Sequence, residues 1–117
     1  MSFYRRKHYF KSLFYRFKTL CWYRLFLREC GSANIIMHPY YITPEYIILG
    51  NHVVIHDNAR LEGVPIYEGV QFNPLIIIHD YVEIQQNFYM TCASRIEIGA
   101  HTAIAANVTI TDIHHPY

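Results

Sequence analysis

The residues best suited to chemistry stand near the end of the 117-residue sequence, in the stretch Asp112-Ile113-His114-His115-Pro116. A neutral imidazole, whose ordinary pKa is about 6.5, can take a proton from a hydroxyl group at neutral pH. The carboxylate of Asp112 could orient such a histidine, hold a sugar hydroxyl or cap a turn. The two histidines are also compatible with the plain end of a structural repeat. The elements that lead into them therefore decide their interpretation.

A hexapeptide repeat leads into this stretch. Its aliphatic residues lie six positions apart, at Ile98, Ile104 and Ile110, with small or turn-forming residues between them. A helix requires apolar residues every three to four positions and a strand requires them at every second position, so this spacing fits neither. It is typical of a parallel β-helix built from hexapeptides.

Two earlier blocks carry the same repeat. The aliphatic positions of the three blocks are Leu49, Ile55 and Leu61, then Ile78, Ile84 and Met90, then Ile98, Ile104 and Ile110. Nine residues after each block start stands an asparagine, at Asn58, Asn87 and Asn107. Asparagine tolerates the left-handed backbone that a tight corner needs. Three hexads per turn predict a triangular coil whose aliphatic residues point inward and stack from coil to coil.

Two interruptions divide the repeat. Residues 62–74 contain Gly63, Pro65, Gly69 and Pro74, which mark a loop insertion, and a two-residue bulge is predicted near residues 93–95. The sequence therefore predicts one all-β domain over residues 31–117, in which residues 31–46 are extended and form at most a partial first coil. Loops on a solenoid tend to lie on its functional face.

The first 30 residues differ in composition from the rest. Residues 1–30 hold eight Lys and Arg against one acid, whereas residues 31–117 hold two against eight. Residues 3–29 predict one amphipathic α-helix in domain 1–30, with aromatic, aliphatic and cysteine side chains on its apolar face: Phe10, Leu13, Phe14, Phe17, Leu20 and Cys21. This mixture with Lys and Arg is typical of a helix lying in a membrane interface. Packing on the domain or on a neighbouring subunit is the alternative, and the two can coexist.

Composition also bears on location and partners. The three cysteines are odd in number and have no metal-binding spacing, which favours free thiols in a reducing compartment. Neither a secretory signal nor a membrane-spanning run is present in the sequence. We therefore expect a cytoplasmic protein, at the inner face of the cytoplasmic membrane if residues 3–29 bind lipid. Nucleic acid is not an expected partner, because no binding motif accompanies the basic charge.

Residues 31–117 resemble the hexapeptide-repeat acyltransferases, and the stretch Met90–Tyr117 is most similar to the O-acetyltransferases of bacterial polysaccharides. The resemblance implies a left-handed parallel β-helix, here of about three coils after the N-terminal helix. It implies a homotrimer with active sites between subunits, acetyl-CoA as donor, and a sugar or polysaccharide precursor as acceptor. It also implies that His115 is the catalytic base, with Asp112, His114 and Gln85 as substrate-binding residues.

The sequence departs from the family pattern in three places. His56, His79 and Gln85 replace the glycine that usually starts a coil. The bulge at residues 92–95 lacks the acidic residue with which some members bind the acceptor, so we expect recognition unlike that of the galactoside enzymes. The sequence ends two residues after His115, whereas family members continue for several coils, which suggests truncation. The alternative function is an inactive remnant or a trimer-assembly subunit.

A zinc site of the carbonic anhydrase type is a third hypothesis, because the same fold carries one. His79, His101, His114 and His115 are its possible ligands, and at least three nitrogen ligands would be required. His52 and His101 share one corner column, however, where a solvent-facing role is simpler. The sequence therefore predicts no metal site. Cys92 is interpreted as a small residue of the repeat, and not as a nucleophile.

Overall fold

The computed structural model describes residues 13–15, 17–18 and 22–113 of the chain. Within these ranges, helical structure occurs before Leu27, where α1 spans Arg24–Phe26, and in one 3₁₀ turn, Pro44–Tyr46. No helix of the described ranges is long and apolar enough to cross a membrane. The described residues also contain fourteen short strands. They are β1 (Glu29–Cys30), β2 (Ile35–Ile36), β3 (Tyr41–Ile42), β4 (Ile47–Leu49), β5 (Val54–Ile55), β6 (Arg60–Gly63), β7 (Ile66–Tyr67), β8 (Val70–Gln71), β9 (Leu75–Ile78), β10 (Glu83–Ile84), β11 (Tyr89–Cys92), β12 (Arg95–Ile98), β13 (Ala103–Ile104) and β14 (Thr109–Thr111).

Twelve of these strands form three four-stranded parallel sheets. The first sheet has the order β1-β4-β9-β12, the second β2-β5-β10-β13 and the third β3-β6-β11-β14. The chain thus visits the three sheets in rotation and adds one strand to each sheet on every round. The expectation of an all-β domain dominated by parallel strand pairing is confirmed.

The three predicted columns of aliphatic residues are confirmed by the strand register. Leu49, Ile78 and Ile98 are paired partners in the first sheet. The corresponding columns are Ile55, Ile84 and Ile104 in the second sheet, and Leu61, Met90 and Ile110 in the third. Ile78, Ile84 and Met90, in the middle of their columns, are fully buried. Each round therefore buries the apolar side chains of its neighbours, which is the main source of stability in such a stack.

The predicted asparagine corners are also confirmed. Asn58, Asn87 and Asn107 have φ angles of 64°, 59° and 63°, in the left-handed region. The amide of Asn58 donates to the side-chain oxygen of Asn87 at 2.7 Å, and that of Asn87 donates to Asn107 at 2.9 Å. One residue type thus supplies both the backbone conformation of the corner and a hydrogen-bonded ladder between rounds.

The stack begins earlier than the sequence indicated. Glu29 and Cys30, predicted to end the helical domain, already pair with Ile48 and Leu49. The four strands per sheet include a complete round contributed by residues 29–42, where only a partial coil was expected. The signal was present but weak: Cys30, Ile36 and Ile42 are six positions apart, yet one of them is not aliphatic.

The insertion at residues 62–74 contains regular secondary structure. Its first two residues belong to β6, and β7 and β8 then form an antiparallel hairpin. Glu68 and Gly69 make its turn with φ angles of 50° and 77°, as a tight two-residue hairpin turn requires. The hairpin exposes Ile66 and Val70.

Candidate functional site

The predicted site residues are distributed over two sheets. Asp112 directly follows β14 of the third sheet, and Gln85 directly follows β10 of the second. His114 and His115 lie outside the described residues, so their predicted roles stay predictions. Asp112 is therefore the described residue from which the site is built.

Asp112 fastens the turn between β11 and β12. Its Oδ1 accepts a hydrogen bond from the backbone N–H of Ala93 at 2.5 Å. Its Oδ2 accepts from the backbone N–H groups of Ser94 and Arg95 at 2.9 and 3.0 Å. Both oxygens of the carboxylate are thus occupied by the bulge predicted at residues 93–95. Of the roles considered for Asp112, the turn cap is the one these contacts describe.

The electrostatics of Asp112 follow from this clamp. Burial by itself raises the pKa of the carboxyl group, because it disfavours the charged form. The hydrogen bonds from Ala93, Ser94 and Arg95 outweigh burial, and the pKa of Asp112 is lowered. At neutral pH the side chain is therefore an anion whose charge is directed at backbone donors.

Cys92 lies against the same carboxylate, in an environment that disfavours its thiolate form. Its side chain is buried, and its Sγ lies 3.4 Å from the carbonyl oxygen of Leu75 and 3.6 Å from Oδ2 of Asp112. Burial raises the pKa of the Cys92 thiol to about 11, so the reactive thiolate is scarce at neutral pH. The interpretation of Cys92 as a small residue of the repeat agrees with this environment.

A line of polar side chains continues from the clamped turn over the outside of the first sheet. The guanidinium of Arg95 lies 3.4 Å from the carboxylate of Glu97, and Nε2 of His79 lies 3.3 Å from the same carboxylate. The hydrogen bond from His79, followed by that from Arg95, lowers the pKa of Glu97. No sequence motif predicts this group, because Arg95 and Glu97 are 16 and 18 positions from His79. The one signal in the sequence was His79 itself, which stands where the other blocks have Gly50 and Gly99.

The column that contains these residues explains why His79 is accommodated. Gly31, Gly50, His79 and Gly99 follow paired strand residues in successive rounds. A Cβ on Gly50 would collide with Oδ1 and with the backbone N of Asp80 in the next round. In the round after His79, the residue at the place of Asp80 is Ala100, which has no side-chain oxygen. His79 is thus a tolerated corner variant, as predicted, which also reaches Glu97.

The histidines of the neighbouring corner form an aromatic stack. His52, Tyr81 and His101 all have left-handed φ angles, of 56°, 58° and 61°. The ring of Tyr81 lies 4.8 Å from that of His52 and 5.1 Å from that of His101, with interplanar angles of 9° and 4°. All three side chains are exposed. The predicted solvent-facing role of His52 and His101 is confirmed.

Metal ligands do not gather in the described part of the chain, where no three His, Cys, Asp or Glu side chains are placed to hold an ion. His79 contacts Glu97, and His101 stacks on Tyr81. The two remaining histidines of the zinc hypothesis are outside the described residues. Metal binding therefore receives no support from the two that can be placed.

Gln85 belongs to a separate polar cluster on the second sheet. Its amide donates to the carboxylate of Glu83 at 2.7 Å, and Nε2 of His56 lies 3.4 Å from the same carboxylate. Gln85 is half-buried, and its side-chain amide donates to a residue of β10, the strand that it follows. None of the hydrogen bonds described for Gln85 or Asp112 joins these two residues.

An open pocket of about 480 Å³ lies elsewhere, beside the insertion. Its lining consists of Arg28, Glu45, Tyr46, Asn73, Pro74 and Leu75. None of the predicted site residues contributes to it. The chemistry that the sequence predicts is therefore associated with the Asp112 turn and with the residues that follow it.

The described site thus consists of an ionised carboxylate that fixes a turn, a buried neutral thiol and an exposed His–Glu–Arg group. It holds the backbone immediately before His114 and His115 in a defined position, because Asp112 is only two residues before the first of them. Comparisons of the chain with protein-family models, with curated proteins and with solved structures found no match.

Proposed function

We propose that this chain is an acyltransferase built on a left-handed parallel β-helix. The rotation of the chain through three parallel sheets and the stacked hexad columns support this architecture. The reaction is transfer of an acetyl group from acetyl-CoA to a hydroxyl of a sugar or polysaccharide precursor. The similarity of residues 90–117 to polysaccharide O-acetyltransferases supports that substrate class.

The observation that carries the proposal is the Asp112 clamp. Three hydrogen bonds from backbone N–H groups fasten Asp112, which lies two residues before His114. A general base must be held within hydrogen-bonding distance of the proton that it removes, so it benefits from a rigid attachment to the fold. Asp112 thus acts by positioning the chain, and His115 is the residue proposed to touch substrate.

The chemistry follows from the ordinary properties of imidazole. As the acceptor hydroxyl oxygen bonds to the carbonyl carbon of the thioester, its proton passes to neutral His115. The carbon–sulfur bond then breaks, and the imidazolium returns the proton to the departing CoA thiolate. The products are the acetyl ester and CoA thiol, so the histidine is restored. Active sites between the subunits of a homotrimer would complete the groove for acetyl-CoA.

The direct test is transfer of radiolabelled acetyl groups from acetyl-CoA to a panel of oligosaccharides, followed by mass analysis of the products. This readout avoids thiol reagents, which would also react with the protein's own cysteines. The wild-type chain is expected to acetylate a member of the panel. His115→Ala should lower kcat/KM by roughly 10²–10⁴-fold, the usual contribution of a general base.

His114→Ala is the matched control, since it removes the same side chain one position away. It should retain far more activity than His115→Ala. An equal loss in both variants would indicate a structural role for the pair. Absence of any acetyl transfer by the wild-type chain, or an unchanged rate in His115→Ala, would refute the proposal.

A non-catalytic assembly subunit is the second candidate, favoured by the outermost round of strands. In the described residues, β12, β13 and β14 are each paired on one side only. The side chains of Ile104, Val108 and Ile110 there remain half-exposed. Such edges can pair with another polypeptide. A chain that enters a stable oligomer with an intact acyltransferase, yet neither binds CoA nor transfers acetyl groups, would establish this alternative.

A further inference from the structure

An exposed apolar and aromatic face covers the N-terminal part of the described chain. We define the N-terminal apolar face as Leu13, Phe14, Phe17, Trp22, Leu25 and Phe26. The exposed fraction of these side chains ranges from 41% for Leu13 to 77% for Leu25. Six large hydrophobic side chains are exposed within 14 positions. A protein surface normally carries such side chains singly and scattered, so this density is unusual.

The segment packs on the domain through residues that are not part of this face. Tyr15, Tyr23 and Leu27 are 3%, 8% and 7% exposed, and the latter two belong to the main hydrophobic core. The ring of Tyr15 also meets that of His38 edge-on, with 5.3 Å between centroids. The segment is thus anchored by one set of side chains while a second set remains uncovered.

The charged residues of the segment that carries the N-terminal apolar face are all basic. Lys18 and Arg24 lie among the residues of the face, Arg28 follows them, and the sequence contains no Asp or Glu before Glu29. Arg24 and Arg28 are exposed, and Nζ of Lys18 lies 5.4 Å from the centroid of the Tyr23 ring. The rest of the chain has the opposite balance, with two bases against eight acids. A partner for this face must therefore accept apolar side chains and complement positive charge.

We propose that the N-terminal apolar face docks on the surface of a bilayer that contains anionic lipids. Aromatic and aliphatic side chains would enter the boundary between headgroups and acyl chains, while Lys18, Arg24 and Arg28 remain with the phosphates. Tryptophan and tyrosine favour this boundary because each combines an apolar ring with a polar group. The docked segment lies in the interface, and the acidic body stays in water.

Charge argues against a second copy of the chain as the occupant. Two such faces brought together would place six cationic side chains, three from each copy, around one apolar contact. Like charges at that spacing repel one another, whereas an anionic lipid surface attracts every one of them. The proposal concerns a surface distinct from the Asp112 turn and does not depend on the proposed reaction.

The test uses the full chain with vesicles of phosphatidylcholine, with and without phosphatidylglycerol. Trp22 is the only tryptophan, so its emission reports directly on this face. On vesicles with phosphatidylglycerol we expect a shift of its emission to shorter wavelength, together with co-sedimentation. Raising the salt concentration should reverse part of the binding.

Two pairs of variants separate the contributions. Phe17→Ser with Leu25→Ser should weaken vesicle binding at least about ten-fold, because it removes two exposed apolar anchors. Its control is Tyr40→Ser with Tyr41→Ser, which removes two exposed aromatic rings elsewhere and should leave binding unchanged.

Lys18→Glu with Arg24→Glu should weaken vesicle binding at least about 25-fold, at about five-fold for each positive charge lost. Arg60→Glu with Arg95→Glu changes the net charge equally and should have a much smaller effect.

Equal binding to both kinds of vesicle would refute a role for anionic lipid. Absence of binding to either kind would refute membrane docking altogether. If Phe17→Ser with Leu25→Ser instead converted an oligomer to a monomer in light scattering, without any vesicle binding by the parent chain, the occupant would be a second copy. Circular dichroism of each variant establishes that the strands are retained, so that lost binding reports on the surface.

Discussion

The role of Asp112 is determined by contacts with residues distant in sequence. Its position before a histidine pair predicted either a functional carboxylate or a turn cap. The hydrogen bonds to Ala93, Ser94 and Arg95, 17 to 19 positions away, describe a cap. Local sequence could not decide between these roles, because the donors reach Asp112 only through the pairing of β11 with β14. The bulge itself was predictable from the two extra residues in the repeat.

Replacing this carboxylate gives a prediction for stability. Asp112→Asn should lower the free energy of unfolding by about 1–3 kcal/mol, because the amide can serve fewer of the three donors and bears no charge. Denaturant unfolding at neutral pH measures the loss. Ser94→Ala is a suitable control, since it keeps the backbone N–H that Asp112 uses.

The effect should also depend on pH in a defined direction. The pKa of Asp112 is lowered in the folded chain, so its stabilisation is complete above the unfolded value of about 4. It is lost as the pH falls through the lower folded value. The difference between wild type and Asp112→Asn should therefore shrink below about pH 4. A difference that stayed constant, or grew, toward acid pH would contradict the clamp.

At the scale of an element, the asparagine corners were predictable from the sequence but their hydrogen bonds were not. Asn58, Asn87 and Asn107 were predictable as left-handed corners from their residue type and their place in each block. The ladder of amides between them required the register, which periodicity alone does not supply. The first round was underestimated for a related reason: Cys30 stands six positions before Ile36, where an aliphatic residue would have marked the start of a block.

The middle asparagine of the ladder offers a matched pair of substitutions. Asn87→Gly removes both amide hydrogen bonds but keeps the left-handed backbone accessible, and it should cost about 1–3 kcal/mol. Asn87→Ala loses the same bonds and adds the strain of a Cβ at a φ of 59°, so it should be less stable than Asn87→Gly by about 1 kcal/mol. Thermal and denaturant unfolding give both values. Equal stability of the two variants, or a more stable alanine, would show that the corner conformation is not maintained.

At the scale of the molecule, the sequence predicted the repeating core better than its surfaces. The stacking of the three aliphatic columns followed from a spacing of six, because inward-facing residues must meet in consecutive rounds. The surfaces depend on which side chains find neighbours. Periodicity placed Leu13, Phe14 and Phe17 on one apolar helix face, yet these three are exposed, and Tyr15, Tyr23 and Leu27 make the contact with the domain. Burial of one set of side chains thus left another set exposed.

The proposed division of labour between Asp112 and His115 is tested most directly by a double-mutant cycle. It compares kcat/KM for acetyl transfer in the wild type, in Asp112→Asn, in His115→Ala and in the double variant. If Asp112 acts through the position of His115, the double variant will be no slower than His115→Ala, whereas Asp112→Asn alone will lower the rate. Wild-type activity in His115→Ala would contradict His115 as the base, and an equal further loss from Asp112→Asn in that background would contradict the role of Asp112 in positioning His115.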